Sequence, residues 1–458
     1  MVNLDVQKIS GVDALPLMEG GKGISISTGE TCGAWAAAGG VGTFSAVNAD
    51  SYDEDGKPIP QVYRGETRRE RRQELIDYAV AGGIAQAKIA RERSNGKGRI
   101  HMNVLWEMGA CEEILTKILE EAKGCVHGVV CGAGMPYSLG EITSKFGVYY
   151  YPIVSSARAF SALFRRSFRK VQDFLGGVVY EDPWLAGGHN GLSNAENPLE
   201  PMNPYLRLVE LRKTMNEFGL EAIPIIIAGG VWWLSEWEDY IGNKELGLVA
   251  FQFGTRAILT TECPVAKAWQ PKLMSLKKGD VKLTQLSPTG FYSSAINNKM
   301  LQDLLELQKR QVTIVENSSA TVTVMGREVP VDASQSEKIS NWIENGYTTA
   351  MMTPSNTVVF ATPEQAQQIL HDQKNCCCCL SACKFSSWCQ HKGSTGKIPD
   401  PRSFCIQKSL QAVAHNGDLD QNLMFAGHMA YRFQEDPFYE NNFIPTTQQL
   451  VERILGGY

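Results

Sequence analysis

No uninterrupted apolar run in the 458 residues reaches the ~18 needed to cross a bilayer. The N-terminus, MVNLDVQKISGVDALPLMEG, lacks both the basic stretch and the apolar core of a signal peptide. These two absences point to a cytoplasmic chain with no membrane partner. Positive charge is also scarce, with 44 Lys+Arg against 49 Asp+Glu, a formal net charge of −5, so there is no bulk attraction to nucleic acid. No Gly-x-Gly-x-x-Gly directly follows a strand, which argues against a Rossmann-type sheet. Gly132-Ala-Gly134 runs on into Met-Pro-Tyr-Ser-Leu, and Gly39-Gly-Val-Gly42 follows a helical stretch. Histidine is rare as well, at seven residues, so each one counts in a search for acid–base chemistry.

What is present is a chain with 43% hydrophobic residues, ample to bury a core, and 43 glycines, as expected where short loops are built around a ligand. From about residue 20 to 262, β-branched runs alternate with helical patterns, each run ending at a Gly-rich or polar turn. The strands expected are Ile24–Ser27, 41–47, 100–106, 126–131, 148–154, 177–180, 223–228 and 248–253. Eight βα units over this span predict a closed (β/α)8 TIM barrel, an α/β fold. The composition shifts beyond Arg310. We expect residues 1–315 to form the barrel and 316–375 a small α/β extension with a hairpin near Gly326. Residues 376–458 read as a Cys-rich segment followed by an aromatic tail.

In such a barrel the loops after the strands carry the site. After the sixth strand, Ala186-Gly-Gly-His189-Asn-Gly191 frames one imidazole with Gly187 and Gly188, suiting His189 to a general base that a loop glycine brings close to a ligand. A loop histidine bonded only to backbone is the plainer reading. The seventh strand ends Ile227-Ala-Gly229-Gly230 and the eighth Gln252-Phe-Gly254-Thr255. Their successive amides would make a nest for a phosphate, with FMN its natural carrier, although strand ends also carry glycine for steric reasons alone. Asn103, at the end of the third strand, and Gly132 to Pro136 are further candidates to line that site, or turn residues.

Taken together, Ala186–Gly191, Pro224–Gly230 and Gln252–Arg256, with Ser287-Pro-Thr-Gly290, resemble the nitronate monooxygenase family, whose superfamily includes FMN-dependent enoyl-ACP reductases. The resemblance implies an FMN-binding TIM barrel acting on a small-molecule substrate, with FMN phosphate on Gly229, Gly230, Gly254 and Thr255. It implies that His189 takes the proton beside a nitro group or contacts a bound nitronate. Family members place a Pro-Met-Ala-like turn against the flavin. Here Ile24-Ser25-Ile-Ser27-Thr-Gly-Glu30 stands in its expected place, so Ser25 and Ser27 would face the cofactor.

Seven of the 12 cysteines fall between Cys376 and Cys405. Disulfides are not expected in a reducing compartment. The spacing Cys376-x-x-Cys379-x-x-x-Cys383, with Cys405 returned by a loop, fits the four thiolates of a [4Fe–4S] cluster, with structural zinc as the main rival. Cys377, Cys378 and Cys389 are extra. The segment is also similar to a C-terminal extension of a bacterial subgroup of the family with cysteines matching 376, 379, 383 and 405. A cluster would imply an electron-transfer partner or a structural clamp; oligomerisation is left open. The basic stretches Arg68–Arg72 and Arg165–Lys170 read as solvated helix faces. Trp232, Trp233 and Trp237 read as packing first.

Overall fold

The computed structural model describes residues 4–389, 393–394 and 397–458. Eight parallel strands close into a barrel: β1 (Leu17–Glu19), β2 (Val41–Ser45), β3 (Arg99–Leu105), β4 (Gly128–Gly132), β5 (Tyr149–Val154), β6 (Val178–Glu181), β7 (Ile225–Ala228) and β8 (Val249–Phe253). Closure is made by β8 pairing with β1, Phe251 opposite Leu17 and Phe253 opposite Glu19. Helices α1 (Gly29–Ala37), α2 (Arg68–Arg93), α3 (Cys111–Glu121), α4 (Leu139–Ser144), α5 (Ala157–Arg166) and α6 (Pro204–Glu217) follow the first six strands. This is a TIM barrel. Among the described residues no helix is long and apolar enough to cross a membrane.

The barrel interior is filled by Met18, Val41, Val130, Tyr151, Val179, Ile226 and Ala250. Such layers of inward side chains make it a packed core rather than a pore. A hairpin, Gln7–Ile9 with Val12–Ala14, adds Ile9 to this cluster. Beside it Ser10 Oγ bonds His101 Nε2 at 3.0 Å and Tyr151 Oη at 2.7 Å. Helix starts are capped as their sequences dictate. Thr67 and Glu70 form a reciprocal capping box on α2, and Thr362 with Gln365 does the same for the helix Pro363–Lys374.

One strand lies elsewhere than its sequence pattern suggests. The first barrel strand is Leu17–Glu19, preceded by Pro16, whereas Ile24–Ser27 is a turn in which Ser25 has φ +61°. Ile24-Ser-Ile-Ser27 alternates like a half-buried strand. The glycines at 20, 21 and 23 curl it instead back over the rim, where Ser27 N bonds Lys22 O at 2.9 Å. The segment that leaves β1 toward the cavity is therefore Gly20-Gly-Lys22-Gly23, which holds the place where a Pro-Met-Ala-like turn was expected.

Beyond the barrel, Gln311–Thr313, Thr357–Ala361 and Thr349–Met352 form a three-stranded antiparallel sheet. The hairpin Ala320–Val324/Arg327–Val331 and the helix Ser336–Glu344 pack with it around Val312, Val322, Val331 and Phe360. The chain then returns to the barrel, and its last helix, Thr447–Leu455, contacts α1.

Candidate active site

The C-terminal ends of the strands open into a cavity of ≈ 230 Å³. Asn103, Ile153, Glu181, Ala228 and Gln252 line it from five different strands, and the loops after β1, β6, β7 and β8 form its rim. Gly187, Gly188, His189, Gly229, Gly230, Gly254 and Thr255 all line it, together with Asn103. Ser25 and Ser27 do not. Ser27 works from behind, its Oγ accepting from Lys22 N at 2.9 Å, and so shapes the Gly20–Lys22 loop that does face the cavity.

His189 is fixed by a small sheet. The pair Gly188–His189 runs antiparallel to Ser293–Ile296, with His189 opposite Ser293, and that strand pairs in turn with Val281–Thr284. The ring Nε2 bonds Ser287 Oγ at 2.6 Å, Ser287 Oγ meets Thr289 Oγ1 at 2.9 Å, and Phe425 presents itself edge-to-face at 5.3 Å. Burial lowers the imidazole to about 4, so it is neutral throughout the physiological range and a weaker base than an open histidine.

The two glycine loops differ in what they exclude. Gly229 and Gly230 have φ +90° and +81°, backbone states that side chains rarely adopt, and a Cβ on Gly230 would meet Leu185 at 2.7 Å. Gly254 instead has nothing within 4 Å of its missing Cβ: the space beside it is open. Thr255 Oγ1 accepts from Gly427 N at 2.8 Å, so its hydroxyl oxygen is shared with the C-terminal tail. Gly187 is small for the same reason, since a Cβ there would stand 2.6 Å from the backbone of Ala426.

Several cavity-lining positions carry no mark in the sequence analysis. Lys22 lines the cavity and pairs with the fully buried Glu19, Nζ to Oε1 2.9 Å. Glu181 and Gln252 reach it from the strand ends, and Leu423, Met424, Phe425, Gly427 and Met429 supply a wall from the tail. The Gly20-Gly-Lys22-Gly run was a usable signal for Lys22. Nothing local marks the tail, which meets the rim only through tertiary contact. Trp232 is buried in packing, its Nε1 donating to Asp436 Oδ2 at 3.2 Å.

The cysteine segment abuts the same cavity. Cys379 and Leu380 line it, and Gly109 N donates to Cys379 O at 2.8 Å. The four cysteines of the expected tetrad are buried or half-buried and free of disulfides; the side chain of Cys389 lies outside the described part. A hydrogen bond with Cys377, then burial, push the Cys379 thiol upward, with smaller effects of Cys405 and Cys376; burial and then Cys376 do so for Cys383, so the four are electrostatic neighbours. Yet among the described residues no three His, Cys, Asp or Glu side chains are arranged as a metal site, and Cys376 Sγ bonds Ser386 Oγ at 3.2 Å.

The first basic stretch corrects its expected role. Arg71 is buried and donates to the carbonyls of Gly65, Glu66, Lys374 and Cys376, while Arg68 donates to those of Gln373 and Ser386. They clamp the cysteine loop to α2 instead of facing water. Arg165, Arg166, Arg169 and Lys170 are exposed as expected.

A parallel barrel with a rim of glycine amides, a lysine and one neutral imidazole around an apolar-walled cavity defines the flavin-dependent oxidoreductases of TIM-barrel type, and this chain is one. It belongs to the nitronate monooxygenase family, whose model matches residues 7–455. Among solved structures it is similar to FabK from Thermotoga maritima, at 16% identity over 96% of this chain and 92% of that one, TM-score 0.52. The enoyl reductase domain of MlnA from the macrolactin biosynthesis cluster of Bacillus amyloliquefaciens is similar at 12% identity over 97% and 93%, TM-score 0.54. A nitroalkane oxidase from Streptomyces ansochromogenes aligns at 15% identity over 63% and 78%, TM-score 0.43. No curated protein sequence matches the chain.

Proposed function

We propose that the protein is an FMN-dependent enzyme that oxidises nitronates or nitroalkanes with oxygen. The observation that supports this reading most directly is that the Gly229–Gly230 loop, the Gly254–Thr255 loop and the His189 imidazole line one cavity. The residues fit an FMN: open space at Gly254 for a phosphate, Lys22 as a nearby cation, and Ile153 and Ala228 as apolar walls. The amides of Gly229, Gly230, Gly254 and Thr255 would hold the phosphate, with Asn103 beside the ring. When bound, FMN would supply an electron acceptor that oxygen can reoxidise.

The work of the chain's own residues is positional and protic. His189, uncharged and tied through Nε2 to Ser287, contacts the nitro group or takes the proton from the adjacent carbon. A neutral imidazole can accept that proton without first losing one, and Ser287–Thr289 holds the ring in one orientation. The tail residues Phe425 and Met429 keep the cavity apolar. The test is to mix the flavin-loaded protein with a nitronate without air, then admit oxygen. Bleaching followed by recovery is expected, and His189→Ala should lower kcat/KM by about 10²–10⁴ with flavin content retained. A variant as active as the parent would remove His189 from the reaction.

A second reading, reduction of an enoyl thioester by NAD(P)H, is favoured by one observation. Leu75, Ile114, Ile406, Leu410 and Val413 also line the cavity, apolar side chains that would suit an acyl chain. Bleaching by NAD(P)H in the absence of oxygen, with turnover of a medium-chain enoyl thioester, would decide for it.

We further propose that Cys376, Cys379, Cys383 and Cys405 hold a [4Fe–4S] cluster. The donor set is right for it, and the arrangement is not preformed. Iron and acid-labile sulfide in protein purified without air, both lowered in Cys379→Ala, are the expected result. Zinc in place of iron would assign the site to zinc.

A further inference from the structure

Glu181 ends β6, opposite Ala228 in the ladder, one residue pair below the Gly229–Gly230 loop. It lines the cavity, and among the described residues no hydrogen bond or ion pair reaches its carboxyl. Its neighbour Asp182 is fully engaged: it accepts from Trp184 N and Leu185 N at 2.9 Å and from Tyr180 Oη at 3.2 Å. The other titratable side chains on the cavity wall are also spoken for. Lys22 is ion-paired with Glu19, His189 is bonded to Ser287, and Cys379 belongs to the cysteine set proposed above for the cluster. β5 and β7 contribute Ile153 and Ala228, which carry no charge.

An unpartnered carboxyl on the wall of a cavity that is to receive an anion would be a defect if it were charged. If it holds its proton it becomes a donor, because a neutral carboxylic acid offers one O–H to an oxygen of its ligand. We propose that Glu181 is a specificity-determining residue of this site: protonated, it donates a hydrogen bond to the oxygen of an anionic O–N–O substrate, and ionised, it excludes that substrate. The environment agrees, since burial, and then the charge of Asp182, push the carboxyl up to about 8. Burial keeps His189 at about 4, so between pH 6.5 and 9 it does not change charge. This inference rests on the nitronate reading of the cavity and deepens it. It gives the alkaline limit of anion binding a single named group.

The test uses the flavin-loaded protein and nitrite, an unreactive anion with the same O–N–O edge. Its Kd is read from the perturbation of flavin absorbance between pH 6.5 and 9.5. The wild-type Kd is expected to stay level up to about pH 8 and then to rise toward tenfold per pH unit, as for loss of one proton. In Glu181→Gln, which keeps a donor but cannot ionise, the rise should vanish. A wild-type Kd that is flat across the range, or an equal rise in the Gln variant, overturns the proposal. A variant whose flavin affinity falls while its nitrite Kd keeps the wild-type pH dependence also overturns it, and assigns the carboxyl to the cofactor. Should the Gln variant fail to fold, Glu181→Ala takes its place: its nitrite Kd should be raised and level with pH, and a retained alkaline rise overturns the proposal. Failure of the underlying reading looks different: no flavin is bound, or nitrite perturbs none of its absorbance at any pH.

Discussion

At Gly254 a side-chain carbon would meet no atom within 4 Å, whereas at Gly230 it would meet Leu185 at 2.7 Å on a backbone with φ +81°. The two loops should therefore answer substitution differently. Gly254→Val is expected to leave the melting temperature of the flavin-free protein unchanged and to lower the flavin-to-protein ratio, because bulk enters only the space a phosphate would take. Gly230→Val should destabilise the chain with or without flavin. Equal losses of stability in both variants would show that Gly254 serves packing. Histidine makes a second residue-scale prediction. Burial holds both His127 and His189 at about 4, below the ordinary 6.5, so the unfolded chain takes up protons first as pH falls. Stability is expected to decline from about pH 6.5 down to 4, read as the urea midpoint, and the decline should be shallower in His127→Gln. His415 has the opposite sign. Asp50 raises it, so its contribution is present in acid and lost as pH rises through its folded value. His189 and the glycines were legible because glycine next to histidine is a pattern with few packing uses. Ser25 and Ser27 misled because alternation by itself cannot separate a strand from a turn.

Among the elements, α2 does more than cover the barrel. Its first two turns carry Arg68 and Arg71, whose guanidinium groups hold six carbonyls between them, four belonging to the 373–386 segment. Arg71→Ala is expected to cost about 1–3 kcal/mol, measured by the urea midpoint, since it strands buried carbonyls that had a charged donor. It should also speed alkylation of Cys376 and Cys379. Unchanged labelling would show that the loop is held by other means. Strand β3 was readable from the chain itself as an apolar run closed by a polar turn, and α2 as a long helical crossover. The three-residue β1 was not, because a strand that short, with Pro16 before it and Glu19 within it, has no period to read. Its identity comes from pairing with β2 and β8, contacts that sequence separation hides.

Across the molecule, a buried node at Asp436 ties the aromatic tail to the barrel. Asp436 takes Arg256 at 3.1 Å, Arg453 at 3.3 Å and the indoles of Trp232 and Trp233 at 3.2 and 3.3 Å, and both Arg256 and Asp436 are fully buried. Removing one member leaves the other as an unpaired buried charge, so Asp436→Ala should cost about 3–5 kcal/mol and release flavin more readily than the parent. Calorimetry and flavin retention on gel filtration measure the two effects. If the variant melts lower but keeps its flavin, the node supports the fold alone. The barrel as a whole was legible from eight strand-and-turn repeats. The contribution of the tail was not, because Gly427 reaches Thr255 across 172 positions of sequence.

That long return has a consequence for how the protein comes into being. Leu423 to Met429 form one wall of the cavity, so a ribosome that has already delivered the whole barrel has not yet delivered the site. Cofactor capture is expected only once this tail has been made and has folded back. A chain cut at Asn416 would leave its barrel open on the tail side and should emerge colourless, so pigment would report that the tail has docked.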